Sequence, residues 1–441
     1  MDSRGGDTGA GDRRLDGTDR AGSNLDTPSR ESQRTDENSS NRIHEDDPPD
    51  GENLSNRIHE DDPPDPPDGE AASPSDGADG VASAIGVVAA SVALAGTAGP
   101  LQEADDPAVF VGTGAAIVAI VAFLLARYGL ARRVHTGPVA AIAAAVVAVY
   151  ATYGLNHGLT AEWTVAGLGS VPTLFVALVA ACVGVGAGAA DYAALSWEGL
   201  YHRIRATLAY SGVGLAGFVS MTVWGVIVAG LVVPLAVGVA WGELSQELQT
   251  LFSQVVLVLG LGTVAAAVLV LTDRGWSFID LKLPTTRDLI YVVGGFALLV
   301  GAAMAISLLL RETGTESAGH GSMERAAEHP EILLILIPAS ILVIGPFEEL
   351  LYRNVIQKSL YEYFSKSGAV IVASIPFAIV HFPAYSGGHL GQSLVSLGVV
   401  LTLSIILGAL YARTENLVVP ALVHGCYNAL VFYNQYVSLV N

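Results

Sequence analysis

Long apolar runs separated by short polar gaps dominate the chain from residue 81 onward. A bilayer core about 30 Å thick needs about 20 apolar residues per helix, and the chain supplies runs of that order repeatedly. Windowed hydropathy predicts about eleven spans. They cover residues 81–98, 108–126, 138–154, 165–190, 212–240, 251–271, 288–310, 331–357, 368–382, 393–411 and 417–437. The predicted fold class is therefore all-α, a polytopic membrane helix bundle.

The charges in the gaps between these spans alternate in sign. Basic residues follow the even-numbered spans, as Arg132 and Arg133 do after the second, whereas acidic residues such as Glu243 and Glu247 occupy an intervening gap. Cytoplasmic loops of membrane proteins carry an excess of Lys and Arg. The pattern predicts a multi-pass protein of the cell membrane with its N-terminus in the cytoplasm and its C-terminus outside.

The first 80 residues have a different composition. They contain 22 Asp and Glu against 8 Arg, so they carry −14 of the net charge of −20. With almost no large apolar side chains, such a segment cannot bury enough surface to offset its ordering entropy. We therefore predict a disordered acidic cytoplasmic tail. Residues 37–50 recur at 52–65 with a period of 15 residues, and Leu54 replaces Ser39.

Because the acidity belongs mostly to the tail, it does not imply a basic partner for the membrane body, and we expect no nucleic-acid partner. The partner that the composition does imply is the lipid bilayer. Only three lysines occur against 19 arginines. This usage, together with the abundant acidic residues, resembles that of proteins from salt-adapted archaea.

Three polar clusters interrupt the apolar C-terminal third. Ionisable side chains within a membrane helix are costly and rare, so each cluster is a candidate functional site. The clusters read Glu348-Glu349-Leu-Leu-Tyr-Arg353, Phe377-Ala-Ile-Val-His381 and His424-Gly-Cys-Tyr-Asn428. A carboxylate, two imidazoles and an amide on successive segments can activate water and stabilise an oxyanion, which is typical of a hydrolase.

The first cluster predicts a division of roles between its two glutamates. On a helix, Glu349 and Arg353 are four residues apart on one face and can form an ion pair. Glu348 points about 100° away, which leaves it free to take a proton. Pro346 removes a backbone hydrogen bond and predicts a kink that opens room for water. Taken alone, the cluster is equally well explained as a solvated group at a helix end.

The other two clusters are also ambiguous when taken singly. A lone His381 on an apolar face is more often a core residue, although Pro376 and Pro383 around it favour a broken or re-entrant helix that lines a wet cavity. His424 and Asn428 share a helix face and form a donor pair suited to an oxyanion, or they hydrogen-bond neighbouring helices. The joint occurrence of all three clusters favours a single site.

The order and spacing of these motifs resemble the signature of the CPBP family. These are the CAAX-protease and bacteriocin-processing intramembrane proteases, also called the ABI family. The resemblance covers roughly residues 275–437, whereas 81–270 are additional transmembrane helices of unknown role. It implies an intramembrane endopeptidase that acts on a membrane-associated or prenylated, CAAX-type polypeptide.

The resemblance also implies a role for each motif residue. Glu348 would activate the attacking water together with His381, and His424 and Asn428 would stabilise the tetrahedral oxyanion. Glu349 and Arg353 would support the site.

A metal ion is compatible with the same residues. Glu348, His381 and His424 could bind Zn²⁺ as one carboxylate and two imidazoles and leave an open position for water. A metal-free route, in which a desolvated glutamate takes a proton from water, is equally compatible. Asn428 favours the metal-free route slightly, because an amide is a poor zinc ligand.

Two other functions fit parts of the pattern. A proton-coupled transporter would use the Glu, His and Arg cluster as a relay, and it predicts inverted repeats between the two halves. Residues 81–270 contain no counterpart of the Glu-Glu-x-x-x-Arg motif. A non-catalytic, immunity-like protein that binds a partner predicts a damaged motif, whereas this motif is complete.

Overall fold

The computed structural model describes residues 80–99, 106–159, 161–165, 167 and 169–441. The predicted tail, including its duplication, lies outside the described residues apart from Gly80. All of the described residues fall within one compact unit.

Twelve helices make up most of the part of the chain that the structure describes. They are α1 Val81–Ala98, α2 Ala108–Arg127, α3 Arg133–Asn156, α4 Thr173–Tyr192, α5 Trp197–Val237, α6 Gln246–Leu271, α7 Thr286–Glu312, α8 Gly321–Glu328, α9 Ile332–Leu360, α10 Lys366–Val380, α11 Leu390–Thr414 and α12 Val418–Val440. The prediction of an all-α membrane bundle is confirmed, and every predicted span falls on a helix.

In the described part of the chain, nine helices are long and apolar enough to cross a membrane, rather than about eleven. Of the other two predicted spans, α10 has only 15 residues. The last, α12, has 23 residues but carries the polar side chains of the third cluster, which lower its mean hydropathy.

Two predicted boundaries were wrong by eight residues or more. The fourth span was expected to begin at 165, but Glu162–Val165 (β1) and Gly169–Pro172 (β2) form an antiparallel hairpin, and the helix starts at Thr173. The fifth span was expected at 212, but its helix begins at Trp197, where the Ser196 hydroxyl caps it by accepting from the Gly199 N–H. Hydropathy marks only the apolar part of a helix, so the polar first turns were missed.

The helix that carries the two glutamates is irregular. In α9, π-helical turns at Ser340–Ile344 and Leu350–Gln357 flank a short α-helical stretch, Gly345–Glu349. Pro346 lies in that stretch, where its missing N–H is tolerated. Single π-helical turns occur often at functional sites. The apolar side of α9 packs into the largest buried cluster with Ala369, Ala373 and Phe377 of α10 and Leu261 of α6.

Two glycines allow α9 and α12 to touch backbone to backbone. A Cβ at Gly345 would lie 2.5 Å from the carbonyl oxygen of Ala421, and a Cβ at Gly425 would lie 2.5 Å from that of Ser340. Real side chains do not approach this closely, so only glycine fits at both positions. The crossing brings the first and third polar clusters together.

Candidate active site

Glu349 is the centre of a buried ion network. Its Oε2 accepts a hydrogen bond from Arg353 Nε at 2.9 Å, and its Oε1 lies 2.9 Å from His424 Nδ1. The side chains of Glu349 and Arg353 are fully buried. A buried carboxylate needs such partners to remain charged. The predicted pairing of these two residues is therefore present.

The guanidinium of Arg353 connects this network to two further helices. Its Nη2 donates to Ser404 Oγ of α11 at 2.8 Å, and its centre lies 5.1 Å from the Phe377 ring of α10. A guanidinium that is fixed by a carboxylate, a hydroxyl and a ring face holds three helices in one arrangement. Ser404 was not among the residues that the sequence suggested.

Glu348 has different surroundings from its neighbour. Its Oε2 is buried and has no hydrogen-bond partner among the described residues. The same atom lies 4.0 Å from His381 Nε2 and 3.9 Å from His424 Nε2. Residues from α9, α12 and the end of α10 are thus brought together within a few ångströms.

The hydrogen bonds of the two imidazoles orient them toward Glu348. His381 follows the last residue of α10, and its Nδ1 lies 2.6 Å from the Phe377 carbonyl oxygen. Because a carbonyl only accepts, Nδ1 of His381 carries a proton, and Nε2 is the ring nitrogen that faces Glu348. In the same way, the Nδ1–H of His424 donates to Glu349 and leaves Nε2 toward the site.

A cavity of about 320 Å³ adjoins these side chains. His381, His424 and Asn428 line it. Glu348 is not one of the lining residues, and its Oε2 lies about 4 Å from the two imidazoles that are. The rest of its wall is largely apolar. That wall includes Leu299, Val399, Val400, Leu403, Leu407, Val431 and Phe432.

Comparison with known families agrees with this arrangement. Residues 330–430 match the family model described as type II CAAX prenyl endopeptidase Rce1-like. The chain carries an Rce1-like domain. The resemblance to the CPBP family is thereby confirmed, and the match supports an intramembrane endopeptidase of the CAAX-protease type in general. Comparisons with curated proteins and with solved structures gave no match.

The residues of the Rce1-like domain do not form a metal site as they stand. No group of three or more His, Cys, Asp or Glu side chains that could hold a metal ion occurs in the part of the chain that the structure describes. Tetrahedral zinc with bonds of about 2.0–2.1 Å needs ligand atoms about 3.4 Å apart. The two distances from Glu348 Oε2 are 4.0 and 3.9 Å, so these three side chains would have to converge.

Two kinds of site residue escaped the sequence analysis. Gly425 directly follows His424 and Gly345 lies three residues before Glu348, and that small-residue signal could have suggested the close crossing. The wall residues His320 and Tyr385 lie outside the three motifs, and their rings pack edge to face with centroids 5.1 Å apart. No local pattern in the sequence distinguishes them.

Proposed function

We propose that the Rce1-like domain hydrolyses a peptide bond in a membrane-associated or lipid-modified polypeptide with a water molecule that Glu348 and His381 activate. The observation that carries the proposal is the buried Glu348 Oε2, which lacks a hydrogen-bond partner in the described structure and faces two imidazole Nε2 atoms. A carboxylate oxygen in such surroundings can accept the proton of a water molecule.

The proposed reaction balances its protons through Glu348. The carboxylate takes one proton from water as the water oxygen attacks the scissile carbonyl carbon. The carbonyl oxygen becomes an oxyanion, to which the Asn428 amide and the Nε2–H of a protonated His424 donate. As the tetrahedral intermediate collapses, the C–N bond breaks and Glu348 returns the proton to the leaving amine.

Charge in the buried network supports this assignment of roles. Glu349 and Glu348 carry two negative charges, and Arg353 with a protonated His424 carries two positive charges. His424 then lies between both carboxylates, at 2.9 Å and 3.9 Å. Donors that are held in place before the reaction stabilise an oxyanion more strongly than solvent does. No step of this mechanism passes through a metal ion.

The apolar wall of the cavity supports a substrate with an apolar segment next to the scissile bond. Pockets that bind mostly apolar ligands with a few fixed polar groups have this composition. We assign catalysis to residues 275–437 and treat 81–270 as additional helices. We further propose a cytoplasmic N-terminus, an outside C-terminus and the cell membrane as location, because the basic gaps follow the even-numbered predicted spans.

The test is peptide cleavage by purified protein in lipid nanodiscs. Prenylated and unmodified membrane peptides are incubated with wild type, with Glu348→Ala and with Glu312→Gln, an exposed glutamate at the end of α7. Cleavage by wild type and Glu312→Gln, but not by Glu348→Ala, is expected. Each reaction is repeated with a chelator, and undiminished cleavage is expected. Equal cleavage by Glu348→Ala contradicts the proposal, and loss of cleavage with chelator contradicts its metal-free mechanism.

A further inference from the structure

A strap, residues 313–331, connects α7 to α9 and includes the short helix α8. Two of its side chains, His320 and Met323, line the cavity next to His381 and His424. The His320 ring packs edge to face against Tyr385, which lines the same cavity. The strap therefore forms part of the wall against which a substrate would lie.

The first half of the strap is held by the end of α3. The side-chain amide of Asn156 pairs with the backbone of Glu316, because Nδ2 donates to the Glu316 carbonyl at 2.7 Å and Oδ1 accepts from its N–H at 3.1 Å. Such a pair satisfies both backbone groups of one strap residue. Next to it, His157 Nε2 lies 3.3 Å from Thr315 Oγ1.

The same end of α3 is fixed against α11, which supplies five of the residues that line the cavity. A Cβ at Gly391 would lie 2.4 Å from the carbonyl oxygen of Leu155, so the two backbones touch. Gln392 Nε2 donates to Glu316 Oε2 at 2.7 Å, and Ser396 Oγ donates to the Ala318 carbonyl at 3.1 Å. The first half of the strap is thus held in place by hydrogen bonds from both α3 and α11.

We infer that Asn156 is a positioning residue: it ties the N-terminal helices to the strap and thereby fixes the strap's wall of the substrate cavity. Asn156 and Glu316 both lie outside the matched residues 330–430. If the inference holds, the additional helices in residues 81–270 support the activity of the Rce1-like domain by positioning the strap. Its effect on catalysis rests on the proposed function, whereas the tie itself does not.

The first readout is trypsin cleavage after Arg325, an exposed residue of the strap. Wild type, Asn156→Ala and Asn156→Asp are compared in nanodiscs, with the fragment identified by mass spectrometry. Asp has the size of Asn, but it has a carboxylate oxygen in place of the Nδ2 group that donates to the Glu316 carbonyl, so this hydrogen bond is lost. Both variants are expected to be cut at least fivefold faster than wild type. The control is Thr152→Ala, one turn earlier in α3, whose hydroxyl bonds only to its own helix.

The second readout is peptide cleavage, separated into KM and kcat. If the strap is loosened, the cavity wall should bind substrate less well. We therefore expect KM to rise at least fivefold in Asn156→Ala and Asn156→Asp, while kcat changes less than twofold. The control Thr152→Ala should behave like wild type. Unchanged trypsin cleavage in both variants overturns the inference. Faster trypsin cleavage with unchanged KM overturns the link between strap and cavity. A wild type without peptidase activity contradicts the proposed function, while the trypsin comparison still tests the tie.

Discussion

Glu348 and Glu349 are adjacent in the chain and have opposite surroundings. Both oxygens of Glu349 are bonded, one to Arg353 and the other to His424, and its side chain is fully buried. Glu348 Oε2 has no hydrogen-bond partner within the described structure and faces two imidazoles. One glutamate therefore holds the site together, and the other is available for chemistry.

Substitution of the bonded glutamate should destabilise the protein. Glu349→Gln leaves the Arg353 guanidinium without its counter-ion in a fully buried position. Breaking a buried ion pair on one side costs about 3–5 kcal/mol. We expect a clear fall in the thermal unfolding temperature in nanodiscs, with Glu312→Gln unchanged. Equal unfolding temperatures for Glu349→Gln and wild type would show that Arg353 does not depend on this partner.

The crossing of α9 and α12 should not tolerate a side chain. Gly425→Ala places a methyl group 2.5 Å from the Ser340 carbonyl oxygen and 2.7 Å from the Ile341 Cα, so the helices must separate. Overpacking of this kind costs about 1–3 kcal/mol. We expect lower thermal stability and reduced peptidase activity, because separating the two helices moves His424 away from Glu348 and Glu349.

The matched control for this crossing is Gly398→Ala in α11. A Cβ at Gly398 meets nothing within 4 Å among the described atoms, and Ala is a better helix former than Gly. Gly398→Ala should be neutral or slightly stabilising. If Gly425→Ala behaves like Gly398→Ala in both stability and activity, the close crossing does not set the geometry of the site.

The oxyanion role of Asn428 predicts a loss in kcat. Removing one oxyanion donor lowers kcat about 10²–10³-fold, and KM should change little because the donor acts mainly in the transition state. Steady-state cleavage by Asn428→Ala is compared with that by Asn434→Ala, which alters an exposed amide on the same helix. A rise in KM with unchanged kcat would instead make Asn428 a substrate-binding residue.

His320, in the strap outside the spans, should make stability depend on pH. Burial, together with the charges of His381 and Arg325, lowers its pKa to about 4. In the unfolded chain a histidine titrates near about 6.5, so between these values the unfolded state binds the additional proton. Stability from this residue is therefore complete above pH 6.5 and is lost as the pH falls toward 4, by up to about 1.4 kcal/mol per pH unit.

The measurement is thermal unfolding of wild type and His320→Asn from pH 7.5 to 4.5. The imidazole Nδ1 of His320 accepts from the Ser322 N–H at the start of α8, and Asn can cap a helix in the same way. The variant should lose less stability than wild type as the pH falls. Parallel curves for the two proteins would show that His320 titrates normally in the folded state.

The sequence predicted those parts of the site that depend on local spacing. The Glu349–Arg353 pair follows from four-residue spacing, and it forms although part of α9 is π-helical. The bond between Glu349 and His424 joins residues 75 positions apart and depends on the crossing at Gly345 and Gly425. Glycines in a sequence can suggest a close approach of helices, but they do not show which two helices cross. For the same reason, the strap and its bond to Asn156 could not be predicted.

The boundaries of elements were less predictable than the elements themselves. Hydropathy located all of the twelve described helices except the short α8, because a bilayer requires long apolar segments and these are visible in the sequence. It did not reveal the hairpin of β1 and β2 or the polar first turns of α5, since both lie where the chain leaves the apolar region. Cavity walls made by distant segments, such as His320 beside Tyr385, require the tertiary structure.

The measurement that tests the central claim most directly is kcat/KM of Glu348→Gln on a peptide that wild type cleaves, with the unfolding temperature of both proteins determined in the same nanodiscs. Gln has nearly the same size and cannot accept the proton of water as a carboxylate does. General-base catalysis contributes about 10²–10⁴-fold. The account predicts a loss of at least about a hundredfold with an unchanged unfolding temperature. A kcat/KM equal to that of wild type would contradict the assignment of Glu348 as the base.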